Sequence, residues 1–344
     1  MLRVLRDLLF GLVLLPGVLW LVLLAFARVA DAPRLWWLDL IDTFALYGFA
    51  PFVGVLLVAA LLRSRALAVL AALAGLLFVT QFGRALLPRP EPARASGPHL
   101  TVLTYNLRSP NGNPDPLVQL VRERQPDVIV LQELTTRYAE RLTAQIGDAY
   151  PSFVVAGIES ANDDGGIFSR VPILDHAAFR FTDEGNVFQR ARLRTDAGDV
   201  WLVNVHLVSP RLEARRIRGG LPIPLDFHED GRDDDLARLV AEVEALDGPF
   251  ILAGDFNSAA GSRPNRVFPA TWRDAYREAG EGFGHTFPSG IGLARGRLNV
   301  TFPLIRIDYV LTSHDLTPRY ATVPRIAGSD HLPVFADVEL PPPR

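Results

Sequence analysis

The chain has 344 residues, 49% of them hydrophobic, no cysteine and a formal net charge of −3. It is long enough to bury a full core in more than one region, and the lack of cysteine excludes structural disulfides. The charge is unevenly spread, because nine arginines stand against five acids in residues 1–95 and 26 against 33 in the remainder. An acidic main region argues against a protein that grips long nucleic acid through its phosphates.

Three uncharged apolar segments lie near the N-terminus, at residues 8–27, 43–62 and 66–83. Each approaches the roughly 20 residues that cross a bilayer as a helix, so the sequence predicts a membrane region with three transmembrane helices at residues 1–86. A cleaved signal peptide is the alternative for the first segment, because Arg3 and Arg6 precede it. Its apolar stretch is long for a signal peptide, and two further segments follow.

The distribution of arginine predicts the orientation of these helices, because short cytoplasmic segments carry the positive excess. The arginines that flank the predicted cytoplasmic ends are Arg3, Arg6, Arg63 and Arg65. Three crossings then place everything after Arg84 on the extracytoplasmic side. Residues 87–98 are rich in proline, alanine and arginine and are interpreted as a linker, which leaves residues 99–344 as a second domain.

Downstream of the linker, strand-like and helix-like patterns alternate. The patterns predict helices beginning at Asp115, through Leu142 and over 233–246, and a hairpin turn at Gly198 and Asp199. Strands are predicted at 100–105, 128–131, 153–155, 167–168, 187–193, 200–207, 250–253, 306–312 and 334–340. This alternation is typical of an α/β protein with mixed sheets.

Polar residues end many of these predicted strands, and folding can bring them to one rim. Hydrolysis of a phosphoester needs a hard cation, an oriented water and donors for the phosphoryl oxygens. Oxygen ligands favour Mg²⁺, with Mn²⁺ or Ca²⁺ as alternatives. Glu133 is the predicted main metal ligand, and Asn106 supplies a neutral oxygen beside it. The ordinary alternatives are a helix-start acid for Glu133 and a turn amide for Asn106.

The second half of the chain supplies the rest of the predicted site. Asp255 and Asn257 are two residues apart, so their side chains leave the same side of an extended chain; a plain Asx turn is the alternative. Near the C-terminus, Asp308, Asp330 and His331 can pair a carboxylate with an imidazole while the other carboxylate reaches metal or water. An ordinary surface Asp-His pair is the alternative there.

Two further polar residues lie on the predicted strand at 200–207. His206 is expected to donate a hydrogen bond to a phosphate oxygen, with Asn204 on the same face as a further substrate-binding residue. Either can instead be a satisfied polar group of the core, and for Asn204 both interpretations stay open. His285, in a loop before the strand that carries Asp308, is interpreted as a solvated loop histidine rather than a substrate contact.

Six segments, LTVLTYN, DVIVLQEL, VNVHL, ILAGDFN, RIDYVL and GSDHLPV, resemble in order the signature segments of the endonuclease/exonuclease/phosphatase superfamily, whose fold is that of deoxyribonuclease I. The resemblance covers about residues 100–340. It implies a four-layer α/β sandwich of two mixed β-sheets flanked by helices, preceded here by the three transmembrane helices.

The resemblance also implies residue roles. Asp255 would align or deprotonate the nucleophilic water, and Asn257 would hold a phosphoryl oxygen. His331 would polarise the water or contact the scissile phosphate, Asp308 would orient His331, and Asp330 would be a carboxylate on the metal or water side.

Two features depart from the pattern of the family. Arg108 stands two residues after Asn106, where several DNA-repair members carry an acidic metal ligand, so a second metal there is doubtful. An insertion at 210–231 places four arginines, Arg211, Arg215, Arg216 and Arg218, before an apolar stretch at 221–225. It is either a phosphate clamp with a lipid-facing tip or an irregular surface loop.

The sequence therefore predicts a membrane-anchored, Mg²⁺-dependent phosphoesterase with an extracytoplasmic active site, acting by in-line attack of an activated water. A phospholipid headgroup or small phosphodiester is placed ahead of nucleic acid as substrate, and a phosphomonoester stays open. The alternatives are an extracytoplasmic nuclease acting on DNA or RNA and a non-catalytic membrane receptor for a phosphorylated ligand. A family member that has lost catalytic activity should lack at least one of four residues, namely Glu133, Asp255, Asn257 and His331. All four are present.

Overall fold

The computed structural model describes residues 2–29, 36–88, 97–108, 112–156, 165–182, 185–216, 222–228, 230–259, 268–293, 298–300 and 302–342. The chain divides into two compact units. One contains Met1–Leu87 together with Leu212–His228, and the other contains Pro88–Arg211, Glu229–Ala260 and Val267–Arg344. Most of the predicted linker, at residues 89–96, lies outside the described residues.

Apolar helices make up most of the first unit. They are α1 (Leu2–Val29), α2 (Trp36–Thr43), α3 (Ala45–Gly48), α4 (Pro51–Leu62) and α5 (Arg65–Phe82), followed by a 3-10 turn at Gly83–Leu86. Three segments are long and apolar enough to cross a membrane, namely Arg6–Arg28, Ala45–Leu62 and Arg65–Leu86. Large apolar side chains lie exposed on their surfaces, for example Leu12 at 71% and Leu61 at 75%. Such a surface suggests association with a membrane.

The second predicted membrane segment, at 43–62, is not one continuous helix. It is broken between α3 and α4, where Pro51 is the first residue of α4. Proline has no backbone N–H and is well accommodated at that position. Before it, the N–H groups of Phe49 and Ala50 bond three residues back, to Leu46 and Tyr47, so the chain turns tightly there.

Two six-stranded sheets form the centre of the second unit. The first sheet contains, in spatial order, β15 (Thr317–Thr322), β16 (Val334–Glu339), β1 (His99–Asn106), β2 (Val128–Gln132), β4 (Gly165–Ser169) and β3 (Ser152–Ala156). The second contains β11 (Arg273–Asp274), β14 (Asp308–Thr312), β10 (Phe250–Asp255), β7 (Gly198–His206), β6 (Phe188–Thr195) and β5 (Ile173–Phe179). Each sheet is mixed, because β1 and β10 each have one parallel and one antiparallel neighbour.

Helices cover the outer faces of these sheets. They are α6 (Asp115–Arg124), α7 (Thr136–Ile146) and α8 (Asp230–Glu244), whereas the short α9 (Ala275–Ala279) contributes Ala275 and Tyr276 to the core between the sheets. Between the sheets, Val102 and Val130 of the first belong to one buried cluster with Leu202 and Ile251 of the second. Leu117 of α6 and Leu142 of α7 are buried with residues of the first sheet, and Leu239 of α8 with residues of the second. The predicted four-layer sandwich is therefore confirmed.

The structure differs from the predicted elements at three places. The turn between β6 and β7 lies at Asp196 and Ala197, and Gly198 already begins β7. Strands β5, β11 and β15 were not predicted. Within the insertion, β8 (Arg211–Arg216) and β9 (Pro222–His228) form a two-stranded sheet rather than an irregular loop. Proline is tolerated in β9 because each strand of a two-stranded sheet keeps one unpaired edge. The side chains of the insertion lie outside the described residues.

Candidate active site

The carboxyl ends of four strands and the start of a fifth meet at one place, and strand pairing explains why. In the first sheet Asn106 of β1 is the register partner of Gln132 of β2, which directly precedes Glu133. In the second sheet Asp255 of β10 is paired with His206 of β7 and with Asp308 of β14. Parallel strands end at the same edge of a sheet, so each sheet presents its polar residues at one edge.

A single amide joins the edges of the two sheets. The side-chain nitrogen of Asn106 donates to Glu133 Oε1 at 3.1 Å and to Asp255 Oδ2 at 3.0 Å. The amide oxygen of Asn106 accepts from the backbone N–H of Arg108 at 2.9 Å. Asn106 is fully buried and lies beside Glu133, and its role as a metal ligand stays a prediction. In this arrangement its nitrogen, not its oxygen, faces the carboxylates, so the amide must turn to act as a metal ligand.

Two residues of the site have a left-handed backbone conformation, with φ of +53° at Glu133 and +46° at Asn257. Asparagine adopts this conformation readily, but for glutamate it costs about 1–2 kcal/mol, and such strain concentrates at functional sites. Gly254 is required for a related reason. A Cβ on it would lie 1.9 Å from the backbone oxygen of Val205, so only glycine lets β10 pass β7 just before Asp255.

Asp255 and Asn257 form the Asx turn that was the alternative interpretation, and both also face the site. The backbone N–H of Asn257 donates to Asp255 Oδ1 at 2.8 Å, and its side-chain nitrogen donates to Asp255 Oδ2 at 3.2 Å. That side-chain nitrogen also donates to the backbone oxygen of Leu207 at 2.8 Å. The turn therefore holds the Asp255 carboxylate in place beneath the strand ends.

His331 lies between two buried carboxylates. Its Nδ1 is 3.0 Å from Asp308 Oδ2, and its Nε2 is 3.8 Å from Asp255 Oδ2. Burial alone would lower the pKa of His331, but the carboxylates of Asp308 and Asp255 raise it to about 10. Burial raises the pKa of Asp255 to about 7, although His331 acts against that shift. The arrangement pairs a protonated imidazole with a carboxyl group that can exchange a proton near neutral pH.

Asp330 lies beside Arg108. Its Oδ2 lies 3.4 Å from Nε of Arg108, and its side chain is 15% exposed. The next residue back, Ser329, donates from its hydroxyl to the backbone oxygen of Asn106 at 2.8 Å, so the loop with Asp330 is fastened to the end of β1. Asp330 is at the predicted rim, and its role as a metal ligand stays a prediction.

The two polar residues of β7 have different surroundings. His206 Nε2 is 3.9 Å from Glu133 Oε1, at the mouth of the site. Asn204, two residues deeper, donates to the backbone oxygen of Leu131 and to Gln189, each at 2.9 Å, and accepts from Gln132 at 2.9 Å. These bonds engage both ends of the amide inside the sandwich. The geometry favours the core-polar interpretation of Asn204, and its substrate contact stays a prediction.

Two consecutive residues, His285 and Thr286, lie before β14. His285 is in a loop, as predicted, but it is half-buried rather than fully solvated, with its ring 5.5 Å from that of Phe283. Burial lowers its pKa. Thr286, which was not predicted, is fully buried, and its hydroxyl accepts from the backbone N–H of Asp308 at 3.3 Å. The sequence around Thr286 contains no motif that predicts this role, because the role depends on a contact with Asp308, 22 residues later in the chain.

The donors present fit a hard divalent cation. Asp255, Asp308 and His331 have ligand-type atoms that all lie within 4.8 Å of one another, but a protonated His331 has no lone pair for a metal, so the carboxylates are the donors that fit a cation. On the other side of Asp255, the Asn106 amide occupies the space between that carboxylate and Glu133. A positively polarised N–H group is stabilised there for the same reason that a cation would be, because two carboxylate oxygens converge on it. Oxygen-rich sites of this kind suit Mg²⁺, Mn²⁺ or Ca²⁺.

Comparison with known proteins supports the same assignment of the fold. The model of the Endonuclease/Exonuclease/phosphatase family matches residues 103–331. A solved endonuclease/exonuclease/phosphatase from Bacteroides vulgatus is 18% identical, with a TM-score of 0.54 over 71% of this chain and 99% of the other. TDP2 of D. rerio complexed with single strand DNA product is also 18% identical, with a TM-score of 0.53 over 70% and 99%.

A mannosyl-6-phosphatase of Bacteroides thetaiotaomicron shows the same identity of 18%, with a TM-score of 0.50 over 70% of this chain and 99% of the other. No curated protein matches the chain in sequence. At these identities the solved structures show a shared fold.

Proposed function

Because the chain belongs to the endonuclease/exonuclease/phosphatase family, whose members hydrolyse phosphoester bonds, we propose that it is a membrane-anchored, divalent-metal-dependent phosphoesterase. The observation that carries the proposal is the arrangement of three buried groups. Asp308 contacts one nitrogen of His331 and Asp255 lies 3.8 Å from the other. A carboxylate, an imidazole and a second carboxylate in this order provide both a base and a hydrogen-bond donor for attack of water on phosphorus.

Asp255 is the proposed base. A general base is most effective when its pKa is near the working pH, and the pKa of Asp255 is raised to about 7 by burial. The N–H and amide nitrogen of Asn257 hold its carboxylate, so an oxygen can accept a proton from water as the water attacks. Asn257 is the proposed donor to a phosphoryl oxygen, and for this its side-chain nitrogen must exchange one of its two bonds, most readily the longer one to Asp255 Oδ2.

His331 is the proposed donor to the scissile phosphate. Its raised pKa keeps the imidazole protonated at neutral pH, and Asp308 holds Nδ1 so that Nε2 points into the site. A charged N–H donor stabilises the negative charge that grows on the phosphoryl oxygens. His206, beside Glu133 at the mouth, is proposed as a second donor to phosphate.

Glu133 and Asn106 are the proposed ligands of the cation, with Asp330 on its outer side. The cation, for which we propose Mg²⁺, would neutralise phosphate charge when bound. Glu133 is suited to this role because its side chain is 26% exposed and so can reach both the cation and water. The remaining site residues bind and orient the substrate, and Asp255 accepts the proton from water.

A phospholipid headgroup or a small phosphodiester is the proposed substrate. The support is the acidic balance of residues 96–344, with 26 arginines against 33 acids, which disfavours a long polyanion, and the apolar helices that suggest a bilayer. The arginines at the predicted cytoplasmic ends support an extracytoplasmic active site. Protease protection in intact cells tests this orientation. Digestion of the catalytic region only after the cytoplasm is opened would contradict it.

The experiment that tests the function uses the purified full chain in detergent with Mg²⁺ or EDTA. Phospholipid vesicles, small phosphodiesters, phosphomonoesters, DNA and RNA are offered in parallel. Metal-dependent release of phosphate or headgroup is expected, and Asp255→Ala or His331→Ala should abolish it. Because each substitution leaves buried partners of the side chain unsatisfied, unfolding curves of each variant establish that it is folded at the assay temperature before rates are compared. Cutting of plasmid DNA without lipid turnover would support the nuclease alternative, for which the neighbour complexed with DNA is the specific observation. Binding of phosphate compounds without turnover would indicate a receptor.

A further inference from the structure

A cleft of about 520 Å³ borders the candidate active site. Its lining includes Arg108, Ser289, Arg325, Gly328, Ser329 and Leu332. Ser329 and Leu332 stand on either side of the Asp330-His331 pair, and the backbone N–H of Ser289 donates to the backbone oxygen of Asp330. The cleft and the reaction centre therefore share one wall, the segment that carries His331.

The charge of the cleft is opposite to that of the surrounding region. Two guanidinium groups, those of Arg108 and Arg325, belong to its lining, and none of the lining residues is acidic. The region after residue 95 as a whole carries an excess of acids. A cleft whose charged lining residues are both arginines is a local exception in an acidic region, and such a cleft favours anions.

The two arginines differ in how they are held. Arg108 is 56% exposed and lies 3.4 Å from Asp330, so it stands at the boundary between the cleft and the reaction centre. Arg325 is exposed, and it forms no ion pair with an acid in the described part of the chain. Guanidinium groups bind phosphate through paired N–H donors. Arg325 therefore offers donors to a ligand without first having to leave a protein carboxylate.

We infer that this cleft is a substrate subsite for a second phosphate group. The preferred substrate then carries a phosphate monoester near the phosphoester that is cleaved, either on a soluble molecule or on a lipid headgroup. This inference rests on the proposed phosphoesterase function, because it concerns what the same site selects. Arg325 is the specificity-determining residue, and Arg108 supports it from the side of Asp330.

Matched pairs of substrates test the inference. The soluble pair is thymidine 5′-(p-nitrophenyl phosphate) and its 3′-phosphorylated counterpart, and the lipid pair is phosphatidylinositol and phosphatidylinositol 4-phosphate in vesicles. The wild-type chain with Mg²⁺ should prefer the doubly phosphorylated member in kcat/KM in at least one pair. In Arg325→Ala that preference should fall about 10-fold, mainly through KM, since one charge-assisted contact is removed. Arg325→Lys should keep part of it.

Arg122→Ala is the matched control, because Arg122 is also an exposed arginine but lies on α6; it should keep the wild-type preference. Equal effects of Arg325→Ala on both members of each pair, or no wild-type preference in either pair, would overturn the inference.

A binding measurement separates this failure from failure of the proposed function. In titration calorimetry, thymidine 3′,5′-bisphosphate should bind the wild-type chain more tightly than thymidine 5′-monophosphate, and Arg325→Ala should remove the difference. Discrimination in binding without hydrolysis of any substrate would support the subsite and refute the phosphoesterase. Hydrolysis without discrimination in binding would support the phosphoesterase and refute the subsite.

Discussion

Nδ1 of His331 lies 3.0 Å from Asp308 Oδ2 and 3.1 Å from Asp308 Oδ1. Both groups are buried, and the contact joins the first residue of β14 to a loop 23 residues later in the chain. A hydrogen bond at Nδ1 leaves Nε2 as the only nitrogen that can face a substrate. The pair therefore defines the direction in which the imidazole acts.

We expect Asp308→Asn to lower kcat by about 10²-fold or more, because the carboxylate no longer orients and charges the imidazole. The double variant Asp308→Asn with His331→Ala should be no slower than His331→Ala alone, since residues that act as a unit are not additive. Single-turnover rates at saturating substrate measure both effects. Multiplicative losses in the double variant would show that the two residues act independently.

Glu133 offers a test of backbone strain at the site. Glu133→Ala and Glu133→Gly both remove the carboxylate, so both should lose metal-dependent turnover. The glycine variant should be more stable than the alanine variant by about 1 kcal/mol, because φ at this position is +53° and glycine adopts it without penalty. Denaturant unfolding of the two variants in the same detergent gives the comparison. Equal or reversed stabilities would mean that this backbone conformation is not strained.

Substitution of Asn204 distinguishes a structural role of this residue from a contact with substrate. Asn204→Ala leaves the side chains of Gln132 and Gln189 and the backbone oxygen of Leu131 without their partner. Each unsatisfied buried group costs about 1–3 kcal/mol, so a clear drop in the free energy of unfolding is expected with KM unchanged. A raised KM at wild-type stability would restore the substrate-binding interpretation.

A buried ion pair at the edge of the second sheet predicts a dependence on pH. Arg306 donates to both carboxylate oxygens of Asp274, at 2.7 and 2.6 Å, and is 6% exposed. Burial alone would raise the pKa of Asp274, but the guanidinium of Arg306 lowers it below its ordinary value. The stability from this pair is therefore present above the unfolded pKa, about 3.9, and is lost as pH falls through the lower folded pKa.

Asp274→Asn should cost about 3–5 kcal/mol at pH 7, because it leaves the guanidinium buried without its partner. The difference in unfolding free energy between wild type and variant should shrink as the pH falls below about 4. Denaturant unfolding from pH 3 to pH 7 measures it, with Arg319→Gln as a control for the more exposed pair of Arg319 and Glu339. If the difference in unfolding free energy between wild type and Asp274→Asn were the same at every pH, the predicted dependence of stability on the pKa of Asp274 would be wrong.

Local patterns predicted much of the fold because they depend on neighbours in the chain. Strands β1, β2, β7 and β10 are buried apolar segments, and their limits agree with the prediction to within two residues. β5 was not predicted, because its residues are mostly half-buried or exposed. Pro51 begins α4 and interrupts the second apolar segment, which hydropathy summed over 20 residues does not detect.

The sequence by itself determined which residues end the strands, and with them the family, since apolar periodicity followed by a carboxylate, amide or imidazole is a local property. Only the tertiary structure decided which of these groups meet. Asn106 reaches Asp255 across 149 residues, Arg108 faces Asp330, and Asn204 is satisfied inside the sandwich rather than at its mouth. Those contacts depend on how two sheets pack face to face, and that packing is set by the whole buried core.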